Sequence, residues 1–370
     1  MSGADAPLPE PDRIEGAPHP RETTALLGQD AAEARFLDAL RQGRLHHGWL
    51  LTGPRGVGKA TLAWRIARAL LAGSSGESLD VPPDHPVARR LLAQSEPGLF
   101  LLRRAWDADK KRLKTVITVD EVRRLKGFFN LSATEGGRRV VIVDTADEMN
   151  VNAANALLKA LEEPPAGVTM LLVSHQPSRL LPTIRSRCRE LRLTRLHPPE
   201  MAAALGAAGA ETDDMAALAE LADGSVGEAI RLTQLDGLAT YRALIALFAT
   251  LPRLDRPRAL RLAETAAGRG AEPQLDLMLT LFDLFLSRLA RTGVMGPPRT
   301  EAAPGEATLL ARLAPDPAAG RVWADLHQAL GARARHGRSV NLDPAALLLD
   351  MVLKVDETAA RVTAPAQVGA

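Results

Sequence analysis

The sequence predicts an α/β fold, a parallel sheet with helices on both faces, followed by an all-helical region. Two observations carry this prediction. From about residue 21 to 194, short apolar segments of strand length alternate with segments of helical periodicity, which is the pattern of parallel strands joined by helices. From residue 237 to 360 the chain is rich in Leu and Ala, which are strong helix formers.

The strand candidates are short apolar segments bounded by polar residues or glycine. They are Trp49–Thr52, Leu99–Leu102, Thr115–Thr118, Arg139–Val143, Val168–Val173 and Glu190–Leu193. Helices are expected between them. Ala60–Leu71 follows the first strand, and the pattern of Thr118–Glu121 is typical of a capping box that begins a second helix. A third helix, Asn152–Glu163, is ended by Pro164-Pro165.

Composition divides the rest of the chain. Residues 1–20 hold five prolines and mixed charges, and we expect them to be disordered. The alternating region therefore forms a predicted domain over 21–195. Short glycine-punctuated helices predict a small helical domain over 196–236, before the larger helical domain of 237–360 and a tail over 361–370. Residues 73–98 break the alternation and are either an insertion or a poorly ordered excursion.

Bulk properties exclude several classes of protein. The formal net charge is +2, so any contact with DNA would be a local patch. Aromatic residues are 3% of the chain, which argues against reading single strands by base stacking. Cys188 is the single cysteine, so neither a disulfide framework nor a four-cysteine zinc site can form. The N-terminus is acidic and proline-containing, unlike a signal sequence, and we expect a cytoplasmic protein without membrane contact.

Gly53–Thr61, here called the phosphate loop, joins the first strand to the helix that follows. Gly53, Gly56 and Gly58 allow backbone N–H groups to converge on phosphate oxygens at the positive end of that helix. Lys59 would reach the β and γ phosphates. The pattern predicts a nucleotide site, with a glycine turn that binds nothing as the alternative.

Two groups needed for hydrolysis are replaced. The position that normally carries the Mg²⁺-binding hydroxyl is Ala60, and Thr61 lies one step further along the helix, turned by about 100°. Asp144 ends a buried-type strand, where such an acid holds Mg²⁺ or simply caps the strand. Thr145 follows it, where a hydrolysing enzyme normally has Glu to orient water.

Several segments together resemble the clamp-loader branch of the AAA+ ATPases. They are Leu27–Asp30 (LGQD), Leu45–Gly53 (LHHGWLLTG), Val143–Asp147 (VDTAD), Asn152–Pro165 (NAANALLKALEEPP) and Leu181–Cys188 (LPTIRSRC). The resemblance is specific over roughly 21–235. It implies an α/β P-loop AAA+ domain, followed by a small helical lid domain and an all-helical C-terminal collar domain that oligomerises.

The resemblance also implies a role for Arg187. In this family ATP lies at subunit boundaries, and the arginine of the Ser-Arg-Cys motif reaches the γ-phosphate held by the neighbouring subunit. Arg187 would then be an arginine finger acting in trans, a contribution of about 10³–10⁵ in rate. The alternative is that it only pairs with a surface acid. Motor subunits of this branch carry an arginine where Gly227 stands, so this chain is expected to donate an arginine without hydrolysing ATP itself.

Cofactors and partners follow from the same resemblance. ATP or ADP is expected at the phosphate loop, and the sequence leaves Mg²⁺ undecided. Many related subunits have a four-cysteine zinc module where this chain has 73–98; His85 alone cannot hold zinc, so no metal site is expected. The implied partners are the other clamp-loader subunits, the sliding clamp, and primed DNA through the assembled complex.

Basic segments and other functions stay open. Lys110–Lys114 predicts a solvated hairpin turn, with a phosphate contact as the alternative. Arg123, Arg124 and Lys126 share a helix that could face DNA, a hypothesis that the salt dependence of DNA binding would test. One alternative function is an active motor or helicase-like ATPase in which Thr61 and Asp147 replace the missing groups. A small-molecule kinase would leave the Ser-Arg-Cys motif unexplained.

Overall fold

The computed structural model describes residues 9–13, 17–130, 137–210, 212, 214–268 and 270–363. The chain divides into two compact units. The first comprises Met1–Gly209 with Gly224–Glu228, and the second comprises Ala210–Asp223 with Ala229–Ala370. Among the described residues, no helix combines the length and apolar composition needed to cross a bilayer.

The first unit is built on a five-stranded sheet in which all neighbouring strands are parallel. Its strands are β1 (Gly48–Thr52), β2 (Leu99–Leu102), β5 (Arg139–Val143), β6 (Val168–Ser174) and β7 (Arg189–Arg192). They lie in the order β2-β5-β6-β1-β7, so β1 occupies the interior of the sheet. A separate antiparallel pair comprises β3 (Trp106–Asp107) and β4 (Arg112–Leu113).

Helices connect the strands, as parallel pairing requires. They are α1 (Asp30–Arg41), α2 (Lys59–Leu71), α3 (Pro86–Leu92), α4 (Val119–Asn130), α5 (Val151–Glu162), α6 (Pro182–Ser186) and α7 (Pro198–Ala207). Strands β1 and β6 are buried along their whole length, α2 is buried on all sides from Leu62 to Leu70, and α5 buries one apolar face. The α/β sheet predicted from the alternation is therefore confirmed.

The second unit is helical. Its elements are α8 (Met215–Ala222), α10 (Gly237–Phe248), α11 (Arg256–Glu264), α12 (Glu272–Met295), α13 (Glu306–Leu313), α14 (Pro317–Ser339) and α15 (Pro344–Thr363). Helix α9 (Val226–Gln234) begins in the first unit and ends in the second. Helices α12 and α14 pack along each other, and the core between the helices includes Trp323, Phe282 and Phe285.

One predicted strand is wrong. Thr115–Thr118 forms only an isolated parallel bridge, between Ile117 and Met149. The backbone of Ile117 bonds to the loop after β5, where its N–H donates to Glu148 and its carbonyl accepts from Asn150. The chain cannot continue as a strand because Thr118 caps α4, with its N–H donating to the Glu121 carboxylate at 2.8 Å.

Two segments are more ordered than their composition suggested. Residues 9–13 and 17–20, expected to be disordered, pack through charged contacts with distant residues, as in the 3.1 Å pair between Glu10 and Arg103. The segment 73–98 contains α3 and buries Leu79, Val87 and Leu91 against the first unit. These apolar anchors make it an ordered insertion.

A fully buried carboxylate organises the second unit. Glu306 accepts hydrogen bonds from the Tyr241 hydroxyl at 2.6 Å and from the Ala302 N–H at 2.7 Å, and it pairs with Arg288 at 2.7 Å. Burial, with the charge of Glu306, raises the pKa of the Tyr241 hydroxyl. A buried ion pair is tolerated when every polar group is satisfied, as this carboxylate is.

The Glu306→Ala variant should therefore be strongly destabilised, by about 3–5 kcal/mol, because it leaves the Arg288 charge buried without its main partner. Urea unfolding followed by circular dichroism measures the effect. The control is Glu357→Ala, which removes an exposed pair with Lys354 and should change stability by less than about 0.5 kcal/mol. Equal effects from the two variants would show that the buried network is not needed.

Candidate functional site

A cavity of about 270 Å³ lies in the first unit at the carboxyl ends of the strands. Its walls include the phosphate loop, the acidic segment after β5, the extended segment 17–27 and part of α7. Ala60 and Thr61 both line it from the first turn of α2. Ligands of open α/β folds bind at this edge of the sheet, and the volume approaches that of small-ligand pockets.

The glycines of the phosphate loop are required by close packing. A Cβ at Gly53 would overlap the carbonyl oxygen of Leu193, and a Cβ at Gly56 would overlap the hydroxyl of Ser225. Both residues also have positive φ, 139° and 76°. Only glycine tolerates this combination at low cost. Gly58, at φ 97°, then begins α2.

Lys59 is buried and bonds to its own loop. Its Nζ donates to the carbonyl of Gly53 at 2.8 Å and to that of Pro54. Burial lowers the pKa of the ammonium to about 8, against the opposing attraction of Asp147 and Asp144. These two contacts use two of the three N–H donors of the ammonium and hold Lys59 inside the phosphate loop.

Asp144 ends β5 beside the cavity, as predicted. Its N–H donates to the Leu102 carbonyl at 2.9 Å. Burial, together with the nearby charges of Asp12 and Glu148, raises the pKa of its carboxyl to about 7, against the lowering effect of Arg103. The buried position therefore favours the neutral form of this carboxyl more than water does.

The two acids after Thr145 are engaged elsewhere. Thr145 has a left-handed φ of 57°, which turns the chain after β5. Asp147 accepts from the backbone N–H of His175 at 2.9 Å, and Glu148 pairs with Arg104 at 2.8 Å. Neither position matches the residue after Asp144 that would orient water. These contacts weaken the alternative in which Asp147 replaces a catalytic acid.

The sequence patterns did not identify His175 or the N-terminal segment as part of the site. His175 follows β6, lines the cavity and has its pKa lowered to about 4 by burial. Its position directly after β6, a buried strand next to β5, is the sequence feature that could have identified it. Asp12 also lines the cavity and pairs with Arg103, a contact across 91 residues that no local pattern reveals.

One cluster has the spacing of cation ligands. Oxygen and nitrogen atoms of Glu10, Asp12 and His19 lie within 4.8 Å of one another. Arg21 pairs with Glu10 at 2.7 Å, and Arg103 pairs with both acids. Because two guanidinium groups already neutralise these carboxylates, we interpret the cluster as a set of ion pairs that hold the N-terminal segment in place.

Arg187 lies at the opposite edge of the sheet. It directly precedes β7, whereas the phosphate loop follows the carboxyl end of the adjacent parallel strand β1. Its guanidinium donates to the Thr183 carbonyl at 3.1 Å and pairs with Glu162 at 2.9 Å. Within the described ranges, the cavity lining does not include Arg187. The structure thus brings together Lys59 and Asp144 but keeps Arg187 apart from both.

Part of the chain is similar to known proteins. Residues 28–197 match the family model described as DNA polymerase III, delta subunit. The chain is 46% identical over 148 residues to DNA polymerase III subunit delta' of Pseudomonas aeruginosa, covering 38% of this chain and 41% of that protein. It is 32% identical over 235 residues to subunit delta' of Escherichia coli, covering 60% and 65%.

The chain is also similar to a DNA polymerase III subunit other than delta'. DNA polymerase III subunit tau of Salmonella typhimurium is 30% identical over 270 residues, covering 70% of this chain and 40% of that protein. The chain thus spans less than two thirds of the length of each of these relatives.

The Asp144→Asn variant tests the buried carboxyl. A raised pKa means that the folded state keeps its proton from about pH 4 to pH 7 while the unfolded state loses it, so wild-type stability falls as the pH rises through that window. The variant lacks this penalty and should gain, at pH 8 relative to pH 5, on the order of 3 kcal/mol over wild type.

Urea unfolding midpoints at the two pH values measure this difference. Asp84→Asn, at an exposed position, is the control and should follow wild type. A constant offset between Asp144→Asn and wild type at both pH values would contradict the raised pKa.

The single cysteine gives a second test. Burial raises the pKa of the Cys188 thiol to about 12, so only about one molecule in 10⁴ carries the thiolate at pH 8. Reaction with a chromogenic disulfide reagent should be at least about 100-fold slower in the folded chain than in denaturant. Equal rates would show that Cys188 is an accessible thiol.

Proposed function

We propose that the chain is a delta-prime-type subunit of a clamp loader, because residues 28–197 match the family model described as DNA polymerase III, delta subunit, and the chain is similar to delta' subunits. In this role it helps to load a sliding clamp on primed DNA during replication. It binds ATP or ADP weakly or structurally and donates Arg187 in trans to a neighbouring ATPase subunit. Its place of action is the cytoplasm.

The single observation that carries the proposal is the position of Arg187 at the sheet edge opposite its own phosphate loop. Strand β1 separates the two edges, and its five residues span roughly 13 Å at about 3.3 Å per step. An arginine on that edge is remote from its own cavity. It is 37% exposed, so it is available to a phosphate presented by another subunit.

The state of the phosphate loop supports a subunit that does not hydrolyse. Ala60 stands where the metal-binding hydroxyl would be, and Thr145 stands where a hydrolysing enzyme normally has Glu. Transition-state stabilisation requires preorganised groups, and two of them are replaced here. The chain therefore contributes to its neighbour's reaction more than to one of its own.

The remaining partners follow from the same role. The helical second unit would join the collar that holds the subunits in an arc, and the sliding clamp and primed DNA would be contacted in the assembled complex. Arg123, Arg124 and Lys126 are exposed on α4 and remain the hypothetical contact to DNA phosphates.

The Arg187→Ala variant should slow ATP hydrolysis at the neighbouring site by roughly 10³-fold or more, since that site loses the charge that stabilises its transition state. The measurement is single-turnover ATP hydrolysis in a complex reconstituted with partner ATPase subunits. Hydrolysis at the site next to Arg187 should then appear as a new slow phase. Arg185→Ala, which removes an exposed arginine of α6, is the matched control and should leave hydrolysis unchanged. Unchanged hydrolysis in Arg187→Ala would refute the finger.

A further inference from the structure

We infer that Glu162 is a positioning residue for Arg187: its carboxylate and the carbonyl of Thr183 hold the guanidinium in the orientation that meets a partner's phosphate. The inference rests on the proposed function. It adds Glu162, the last residue of α5, to a site that the Ser-Arg-Cys motif alone would restrict to the end of α6.

The geometry defines two anchors. Arg187 Nη2 lies 2.9 Å from Glu162 Oε1, and Arg187 Nη1 donates to the Thr183 carbonyl at 3.1 Å. An arginine has five N–H groups, and these contacts use one on each terminal nitrogen. The guanidinium is fixed in a plane while three N–H groups stay available for a phosphate.

The backbone beneath this guanidinium is fixed as well. Gly48 approaches so closely that a Cβ there would lie 3.1 Å from the Arg187 carbonyl, 3.1 Å from Leu161 and 3.2 Å from Cys188. Leu161 is buried, and it precedes Glu162 at the end of α5. The start of β1 therefore holds the arginine and its carboxylate partner in one packed unit.

Helix stability does not explain the carboxylate. Glu162 is the last residue of α5, where the negative end of the helix dipole disfavours an acid. Its side chain is 47% exposed, so it is not a core residue either. The contact with Arg187 accounts for an acid at this position, because the positive charge of the guanidinium offsets both the carboxylate and the negative end of the helix.

Exposure sets how strongly the pair acts. A half-exposed ion pair is weak, so it orients Arg187 without preventing a multiply charged phosphate from binding the free N–H groups. Preorganisation of this kind raises the rate of the reaction rather than the affinity for nucleotide. Loss of the carboxylate should therefore lower kcat of the partner and leave KM for ATP nearly unchanged.

The test uses the full chain in the complex with its partner ATPase subunits. Glu162→Gln should lower single-turnover hydrolysis at the neighbouring site by roughly two- to fivefold, a modest change because the exposed pair is weak. The neighbouring acid gives a matched control: Glu163→Gln should have no effect, since Glu163 is exposed at the C-cap of the same helix. In an Arg187→Ala background, Glu162→Gln should cause no further loss.

The outcomes separate the two claims. If Arg187→Ala leaves partner hydrolysis intact, the finger is refuted and the positioning role falls with it. If Arg187→Ala is inactive at that site but Glu162→Gln is unchanged, equals Glu163→Gln or accelerates hydrolysis, only the positioning role is overturned. Equal thermal unfolding of the variants and wild type excludes misfolding as the cause of a loss. A variant that unfolds early is replaced by Glu162→Asp, which keeps the charge and should restore part of the rate.

Discussion

The placement of β1 between β6 and β7 is the constraint on which both functional regions depend. At its carboxyl end β1 leads into the phosphate loop, which packs so tightly against the end of β7 that Gly53 cannot carry a side chain. At its amino end Gly48 packs against the segment that carries Arg187. Because a strand is stiff and these two regions lie at its opposite ends, one subunit cannot bring its own Arg187 to its own phosphate loop. The same geometry makes Arg187 available to a second molecule.

The charges around the phosphate loop are compensated within the chain. Lys59 is held by backbone carbonyls and Glu148 by Arg104. Asp144 lies in a site where burial favours the neutral acid. These contacts satisfy the buried charges locally, which limits the cost of their desolvation. The backbone of the loop keeps the shape that the glycines impose.

Local patterns predicted most of the sheet, because buried parallel strands are continuous apolar segments such as β1 and β6. Thr115–Thr118 has the same local composition, and only its tertiary setting makes it an isolated bridge before the capping residue of α4. Contacts between distant charges were not predictable: Asp12 with Arg103, and Glu162 with Arg187, are each defined by the fold alone. The glycine pattern and the strand-end acid identified Lys59 and Asp144, whereas the protonation state of Asp144 depends on burial that composition does not encode. The resemblance of the Ser-Arg-Cys motif identified Arg187, and the sheet topology determined at which end of the strands it lies.

The proposed function implies a division of labour, in which this subunit would supply an arginine and its neighbour the hydrolytic site. The most direct measurement is ATP turnover by the purified full chain alone, and then by partner ATPase subunits with increasing amounts of the chain. Turnover by the chain alone should equal the buffer blank, while its addition should raise turnover by the partners to a stoichiometric plateau. DNA-dependent turnover by the chain alone that is lost with Lys59→Ala would instead identify an active ATPase and contradict this division.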